Sequence, residues 1–285
     1  VYGYPSEDYH RVSYFGRIGW NYNETYMFNA TIRRDGSSRF ADGHRYGTFP
    51  SVSAGWVISN EKFMKSTASW LDFLKLRGSW GQELKWETSE QTDFGFDANF
   101  LSSRLGFNFD WYYKKTKDWI VQPAVIATAG ADAPYINGGD VTNKGIEINL
   151  TWNDKIGKNF KYSLGANMAY NKNEVGSIPT ADGIIHGSTN VMFNNQSEFY
   201  RCSDGHAMGY FWGYQTAGLF QNQKEINDWI AAGNGILANT APGDIKVVDQ
   251  NHDGVINDKD KIDLGNGIPK YSFGFNVGFT YKNFD

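Results

Sequence analysis

The chain has 285 residues, a formal net charge of −4 and one cysteine, Cys202. The slight acidic excess excludes the strongly basic surface of a nucleic-acid-binding protein, and a single cysteine excludes an internal disulfide. The opening residues, VYGYPSEDYH, lack the charged and apolar regions of a signal peptide, so we expect none within them. No apolar run reaches the length of a membrane-spanning helix.

An alternation of apolar and polar residues recurs along the chain and predicts β-strands. In the last such segment, YSFGFNVGFTY, the aromatic residues and Val277 fall on one face, and the glycines, Ser272, Asn276 and Thr280 fall on the other. We expect about nine strands of about nine to twelve residues each. In chain order they cover residues 12–22, 24–35, 48–58, 73–81, 88–99, 104–114, 145–153, 160–171 and 271–281.

The length of these strands and their aromatic residues favour a sheet that crosses a membrane. A tilted strand of about ten residues spans a bilayer, and aromatic residues near strand ends are typical of the girdles at the two interfaces. We therefore expect odd-numbered residues from Leu105 to Tyr113 to face lipid, and Asn108, Asp110 and Lys114 to face a polar lumen. Aromatic packing in a soluble β protein is the alternative. The girdle candidates are Trp20, Tyr22, Trp111, Tyr113, Trp152, Tyr162, Tyr170, Tyr271 and Tyr281.

The connections between strands alternate in length, as the periplasmic turns and extracellular loops of an outer-membrane barrel do. Short links at 100–103 and 155–159 contrast with long ones at 127–144 and 172–270. This alternation places segment 172–270 on the extracellular side. A long outer loop is also expected at 82–87, where the sequence is short. Either the loop is shortened there, or residues are missing from the chain as given, and we favour the second interpretation.

Segment 172–270 contains patterns of its own. In QKEINDWIAAG, the apolar residues Ile226, Trp229 and Ile230 recur at helical spacing and predict a helix. The run GYFWGYQTAGLF predicts a short strand. We therefore expect local structure within a long extracellular excursion, because loops of this length are usually functional or poorly ordered.

The stretch DQNHDGVINDKD, residues 249–260, has the ligand spacing of a calcium loop. Its sixth position is a glycine, which permits the sharp turn. The twelfth ligand is Asp rather than Glu, so a structural ion is favoured over a regulatory sensor. A solvated turn rich in Asn and Asp is the alternative. The predicted ligands are Asp249, Asn251, Asp253, the carbonyl of Val255, and Asp260.

Two groups of side chains are candidates for substrate contact, although no substrate-binding residue is assigned. Aromatic residues in the excursion can stack on sugar rings, with packing of the excursion itself as the more common use. Arginines near the first long loop can meet an acidic ligand, with loop carboxylates or lipopolysaccharide as alternative partners. These residues are Phe211, Trp212, Tyr214 and Trp229, and Arg33, Arg34, Arg39 and Arg45.

Catalytic motifs are absent from the sequence. The five histidines show no HExxH-type spacing, and there is no GxSxG elbow or P-loop. Asp258 and Asp260 are a close acidic pair, but a glycosidase needs two carboxylates that converge in a cleft. These patterns predict that the protein is not an enzyme.

Six segments carry a resemblance to a known family. In order, they are IRRDGSSRFADGHRYGTFPSVSAGW, LKLRGSWGQ, LKWETSEQTDFGFD, DWYYKKTKDWIV, NKGIEINLTW and PGDIKVVDQNHDGVINDKDKIDLGNGIPKYSFGFNVGFTYKNFD. Together they resemble the SusC-like TonB-dependent transporters, and the resemblance covers essentially the whole chain. Such proteins carry a long loop between SWGQ and LKWE, so this chain departs from the family at 82–87.

The resemblance implies an all-β, antiparallel fold. Residues 1–285 would be the C-terminal part of a single transmembrane β-barrel, supplying about nine of about 22 strands and no plug domain. It further implies TonB-driven import of oligosaccharides or peptides across a Gram-negative outer membrane, under a SusD-like lipoprotein lid. Membrane lipid and lipopolysaccharide, but no nucleic acid, are expected as neighbours. A secreted or surface β-sheet binding protein with a calcium-stabilised docking loop is the alternative.

Overall fold

A computed structural model describes residues 10–38, 45–84, 88–121, 136–194, 196–282 and 284. The chain divides into two compact units. The first takes its residues from Val1–Ile120, Asn137–Asn173 and Lys270–Asp285, and the second from Val121–Ile136 and Glu174–Pro269. Within the described ranges, no helix is long and apolar enough to cross a membrane.

The elements are predominantly strands. One α-helix, α1, spans Gln223–Ala231, and 3₁₀ turns occur at Ile58–Asn60, Lys62–Thr67 and Asp258–Asp260. The strands in chain order are β1 Arg11–Tyr22, β2 Tyr26–Ser37, β3 Tyr46–Val57, β4 Leu71–Leu84, β5 Thr88–Phe100, β6 Leu105–Lys117, β7 Ile120–Val121, β8 Ile136–Asn137, β9 Asp140–Ile156, β10 Phe160–Val175, β11 Ile184–His186, β12 Tyr200–Ser203, β13 Tyr210–Tyr214, β14 Thr216–Leu219, β15 Ile245–Val247, β16 Lys261–Asp263 and β17 Tyr271–Tyr281.

The nine long strands form one antiparallel sheet in the order β1-β2-β3-β4-β5-β6-β9-β10-β17. This confirms the nine strands predicted from the alternation. Strands β6 and β9 run further than predicted, because the polar residues at their ends still pair, with Lys115 opposite Thr142. Trp111 consequently lies in the middle of β6 rather than near its end. Residues 85–87 lie outside the described residues, so the loop predicted to be missing there stays a prediction.

The two faces of this sheet differ in chemistry. On one face, Phe109 lies opposite Phe96 and Ile148, whereas on the other Asn108 lies opposite Asp97 and Asn149. The apolar face is open, and at the edge strand β17 Phe273 and Phe275 are 73% and 79% exposed. A continuous exposed apolar surface of this kind marks contact with lipid or another protein. The polar face is suited to contact with water.

Aromatic rings line the apolar face at both ends of the strands. At the end that carries the short turns, ring pairs follow one another across the sheet, as an interfacial girdle does. At the opposite end, Tyr170 and Tyr271 pair across β10 and β17 at 4.9 Å. The pairs at the short-turn end are Trp20–Tyr22 (6.0 Å), Tyr26–Trp56 (6.3 Å), Trp70–Phe100 (6.1 Å) and Phe160–Phe279 (6.4 Å).

The second unit has its own small core. Helix α1 begins after Asn222, whose side chain accepts the backbone N–H of Glu225 at 3.0 Å. The helix buries Ile226, and Phe220 is also fully buried. The predicted helix is thus confirmed, and the predicted strand is two strands, β13 and β14, separated by Gln215. Strands β11, β12, β13 and β16 form a four-stranded sheet, and β14 pairs with β15.

Candidate functional site

A charge network holds the polar face of the large sheet together. Arg77 on β4 contacts Asp97 through two nitrogens, each at 3.0 Å. It also contacts Asp110 on β6 at 2.5 and 2.8 Å. Asn108 donates to Asp97 at 2.7 Å. One arginine is therefore neutralised by two carboxylates, and the planar guanidinium ties three strands together through paired hydrogen bonds.

A second set of polar residues crosses the sheet perpendicular to the strands. Each member lies directly opposite the next on the neighbouring strand, and directly opposed residues in an antiparallel sheet project from the same face. We call this set the cross-strand row. Its members are Arg17, Thr31, Ser51, Gly81, Gln91, Lys114 and Asn143.

A trough of about 410 Å³ follows the cross-strand row from Arg17 to Lys114. Small residues form its floor: a Cβ atom added at Gly81 would lie 3.0 Å from the Cβ of Ser51. Hydroxyl and amide side chains from the adjacent positions, including Asn29 and Ser79, complete its walls. The arrangement offers hydrogen-bond donors and acceptors over a wide area, with a cation at each end.

The predicted calcium loop is an ordered element of the second unit. Asp249 and Asp260 are fully buried. Asp249 Oδ2 accepts the N–H groups of Gly254 at 2.8 Å and Gly235 at 3.2 Å. Asp260 accepts N–H groups from Gln250 at 3.0 Å and from Asn257 at 2.7 Å. The two outer carboxylates of the motif therefore fasten the loop through backbone amides.

The rest of the motif forms tight turns. Asn251 Nδ2 donates to Asp253 Oδ2 at 2.8 Å, and the N–H of Val255 donates to Asp253 Oδ1 at 2.9 Å. Gly254 has φ +80, the left-handed conformation expected of the motif's glycine. Burial favours the neutral acid at Asp249, but its backbone N–H donors outweigh burial and lower its pKa.

The side chains of the loop can be compared with what a metal ion requires. Within the residues the structure describes, no three acidic, histidine or cysteine side chains converge as metal ligands. A carboxylate has about four lone-pair sites, so Asp260, which accepts two N–H groups, keeps acceptor capacity, whereas Asp249 also accepts the N–H of Asp253 at 3.3 Å. Calcium binding stays a prediction.

A histidine lies between two carboxylates in the same unit. His186 Nδ1 is 2.9 Å from Glu198 Oε2, and Nε2 is 2.9 Å from Asp182 Oδ2. Both ring nitrogens can donate only in the imidazolium, so the bonds to Asp182 and then Glu198 raise the pKa of His186. The bond from His186 likewise lowers the pKa of Asp182 to about 2. Arg201 also pairs with Glu198.

The aromatic candidates for substrate contact mostly pack within the second unit. Trp229 packs edge-on against Phe220 and donates its Nε1–H to the carbonyl of Gly235 at 3.2 Å. The guanidinium of Arg201 lies 4.2 Å from the ring centroid of Trp212. A lysine ammonium lies over the ring of Tyr214, whereas Phe211 is 42% exposed. Packing, the more common use of such rings, is therefore what is observed for three of the four, and no substrate-binding residue is assigned among them.

The arginine candidates near the first long loop have several different partners. Arg33 forms an ion pair with Asp35 at 2.9 Å, and Arg34 lies 5.0 Å from the ring centroid of Tyr46. Arg45 accepts a hydrogen bond from the backbone of Ser37 through its carbonyl. Arg39 lies outside the described residues. The observed partner of Arg33 is therefore a carboxylate on its own strand, β2.

Sequence patterns did not reveal the cross-strand row. The alternation of apolar and polar residues placed Lys114 on the polar side of β6, but Arg17 lies far from Lys114 in the chain. Only the register of the intervening strands brings both onto one row. Nothing in the local sequence around Arg17 or Gly81 distinguishes those positions from other strand residues.

Comparison with known proteins places this architecture in a family. The family model described as TonB dependent receptor-like, beta-barrel matches residues 1–285. TonB-dependent receptor P3 of Formosa agariphila is 29% identical over 314 residues, which cover 96% of this chain and 31% of that protein. TonB-dependent receptor SusC of Bacteroides thetaiotaomicron is 27% identical over 320 residues, covering 96% and 30%.

Solved structures show the same fold. The RagAB peptide importer in the open-open state matches with a TM-score of 0.71 at 20% identity, covering 96% of this chain and 31% of that chain. In the closed-closed state the TM-score is 0.73 at 19% identity, covering 96% and 32%. At these identities the match shows the fold alone. The chain spans about a third of the length of the relatives it matches. The chain belongs to the TonB-dependent receptor-like β-barrel family, whose members lie in the outer membrane of Gram-negative bacteria.

Proposed function

We propose that the chain forms part of the wall of a TonB-dependent importer. The carrying observation is the sheet itself: one face is continuously apolar and girdled by aromatic rings, while the other carries a polar trough and a neutralised charge network. A wall with these two faces separates lipid from an aqueous passage, because lipid-facing and lumen-facing residues alternate along each strand. The secreted or surface-protein alternative does not account for the family match over residues 1–285.

We also propose the partners and the cargo. A SusD-like lipoprotein covers the outer mouth, TonB supplies energy through other parts of the full-length protein, and the cargo is an oligosaccharide or a peptide. Support comes from the relatives: one is named SusC, and the RagAB structures are of a peptide importer. Membrane lipid and lipopolysaccharide surround the apolar face.

We infer that the chain has no catalytic role. Its family consists of receptors and transporters rather than enzymes. The acidic side chains with the most contacts serve structure: Asp97 neutralises Arg77, and Asp249 fastens a loop.

Calcium at loop 249–260 is a further proposal, supported by the ligand spacing. The amide network orders the loop independently of an ion. Calcium therefore adds to the stability of an existing loop and orients the end of the extracellular excursion before β17.

Import is tested by deleting the gene and measuring uptake of defined oligosaccharide and peptide mixtures. Uptake of the cargo should fall to background in the deletion strain and in a strain without TonB, and the full-length gene should restore it only where TonB is present. Unchanged uptake of every mixture after deletion, or uptake that persists without TonB, would contradict the proposal.

A further inference from the structure

The trough along the cross-strand row is lined by more cations than carboxylates: Arg17, Arg33 and Lys114 against Asp93. The Arg17 guanidinium contacts the amide oxygen of Asn29 at 3.2 Å and pairs with no carboxylate among the described residues. Lys114 likewise forms no ion pair or side-chain hydrogen bond with any other described residue. Asp93 also lines the trough and accepts hydrogen bonds from Ser79 at 3.0 Å and from Gln91 at 2.8 Å, but neither Arg17 nor Lys114 forms an ion pair with it among the described residues.

Two further arginines on the same face do have carboxylate partners, and one of them, Arg33, also lines the trough. Arg77 is matched by two carboxylates, and Arg33 is matched by Asp35. Arg17 and Lys114, at the two ends of the trough, have no such partner among the described residues and can attract an anion.

The spacing of these two cations suits an extended ligand. Arg17 and Lys114 are five strand positions apart, which corresponds to about 24 Å at about 4.8 Å per strand. The four positions between them carry uncharged residues: Thr31, Ser51, Gly81 and Gln91. A small anion would meet one cation at a time, whereas a linear oligomer with several acidic groups reaches both.

The lining of the trough distinguishes between kinds of acidic oligomer. Hydroxyl and amide side chains both donate and accept hydrogen bonds, which matches the hydroxyl groups of a sugar. Phe49, which borders the trough, is only 6% exposed, so its ring is not available to the side chains of a peptide.

We propose that the trough binds an acidic oligosaccharide during its passage through the barrel. Carboxylate or sulfate groups on the sugar meet Arg17 and Lys114, and sugar hydroxyls meet Thr31, Ser51 and Gln91. This inference rests on the proposed import function and assigns the cargo to a chemical class. The attraction is electrostatic and partly exposed to water, so it weakens as salt is added.

The test is a binding measurement on the purified full-length transporter in detergent. The probes are a hexamer of a uronic acid and a neutral hexose hexamer of the same linkage, titrated by calorimetry at low and high salt. Arg17→Gln combined with Lys114→Gln should weaken binding of the acidic hexamer about tenfold, because two partly exposed ion pairs are lost. Its binding of the neutral hexamer should change less than about twofold.

Two matched variants separate charge from folding. Arg17→Lys with Lys114→Arg keeps both charges and should retain most of the binding of the acidic hexamer. Lys161→Gln removes a cation from the same face outside the trough, so binding should not change.

Several results would overturn the inference. They are wild-type protein that prefers the neutral hexamer, a double Gln variant that binds the acidic hexamer as wild type does, and an acidic hexapeptide that binds more tightly than the sugar and depends on the same two cations. Binding to purified protein needs no TonB, so these results are independent of the uptake experiment. A transporter that imports neutral cargo would retain its proposed function even if the trough proposal failed.

Discussion

Replacing Phe109 with Arg tests which face of the sheet meets lipid. Phe109 lies on β6 between Phe96 and Ile148, on the apolar face. At about 3.4 Å per residue and a tilt of about 40°, it lies about 10 Å along the membrane normal from Leu105, where the strand begins. The apolar band of such barrels is about 25 Å tall, so Phe109 lies near its middle.

An arginine at this depth should destabilise the barrel by about 2–4 kcal/mol. The guanidinium has no acidic partner directly opposite it, because both cross-strand neighbours are apolar. This free energy corresponds to about a 30- to 900-fold lower ratio of folded to unfolded protein.

Arginine at the adjacent residue is the matched control. Asn108 projects from the polar face and donates to Asp97 at 2.7 Å. Losing that hydrogen bond costs about 0.5–1.5 kcal/mol, but the new cation lies beside Asp97 and remains in a hydrated lumen. Asn108→Arg should therefore destabilise the protein by less than about 1.5 kcal/mol. Phe109→Leu, which keeps the site apolar, controls for loss of the ring.

The assay is urea titration of the full-length protein refolded into lipid vesicles, with the folded fraction read from gel mobility before and after boiling. Equal destabilisation by Phe109→Arg and Asn108→Arg would refute the assignment of the two faces. Greater damage from Asn108→Arg would reverse it.

Three further outcomes are expected. The folded-state pKa of His186 is raised above 6.5, so its contacts stabilise the second unit below pH 6.5 and are lost as the pH rises through the folded-state pKa. Protease protection around β11 and β12 should therefore fall as the pH is raised in the wild type. In His186→Gln the protection should be independent of pH. If loop 249–260 binds calcium, Asp253→Asn should raise protease sensitivity at 240–265 only in buffer that contains calcium. Asp249→Ala should raise it with and without calcium. An effect of Asp253→Asn that is the same with and without calcium would count against a bound ion. Protease added to intact cells that lack the lid lipoprotein should cleave within 172–270, and cleavage seen only after permeabilisation would place this segment on the wrong side of the membrane.

The strand alternation made the sheet predictable because burial in lipid imposes a strict period of two on each strand. The pattern disappears where strands leave the apolar band. Residues Asp140 to Lys144 of β9 are mostly polar, so their pairing with β6 had no signature in the sequence. Strand bounds were accordingly correct within the apolar band and too short at the polar ends.

The functional features were less predictable because they depend on register. The cross-strand row runs from Arg17 to Lys114 through four intervening strands. A shift of one residue in the register of any of these strands would move its member of the row to the apolar face. The calcium-type loop, in contrast, could be predicted from a short stretch of sequence. Its spacing was visible at once, yet the roles of Asp249 and Asp260 as acceptors of backbone amides required the folded geometry.

The most direct test is a structure of the full-length protein purified from its native outer membrane with its partners. The edge strands β1 and β17 should each pair with further antiparallel strands to close one barrel, with the cross-strand row lining the lumen and a lipoprotein over the outer mouth. A structure in which β1 and β17 remain free edges, or in which the polar face packs against a second sheet, would contradict the assignment of this chain to the wall of an importer.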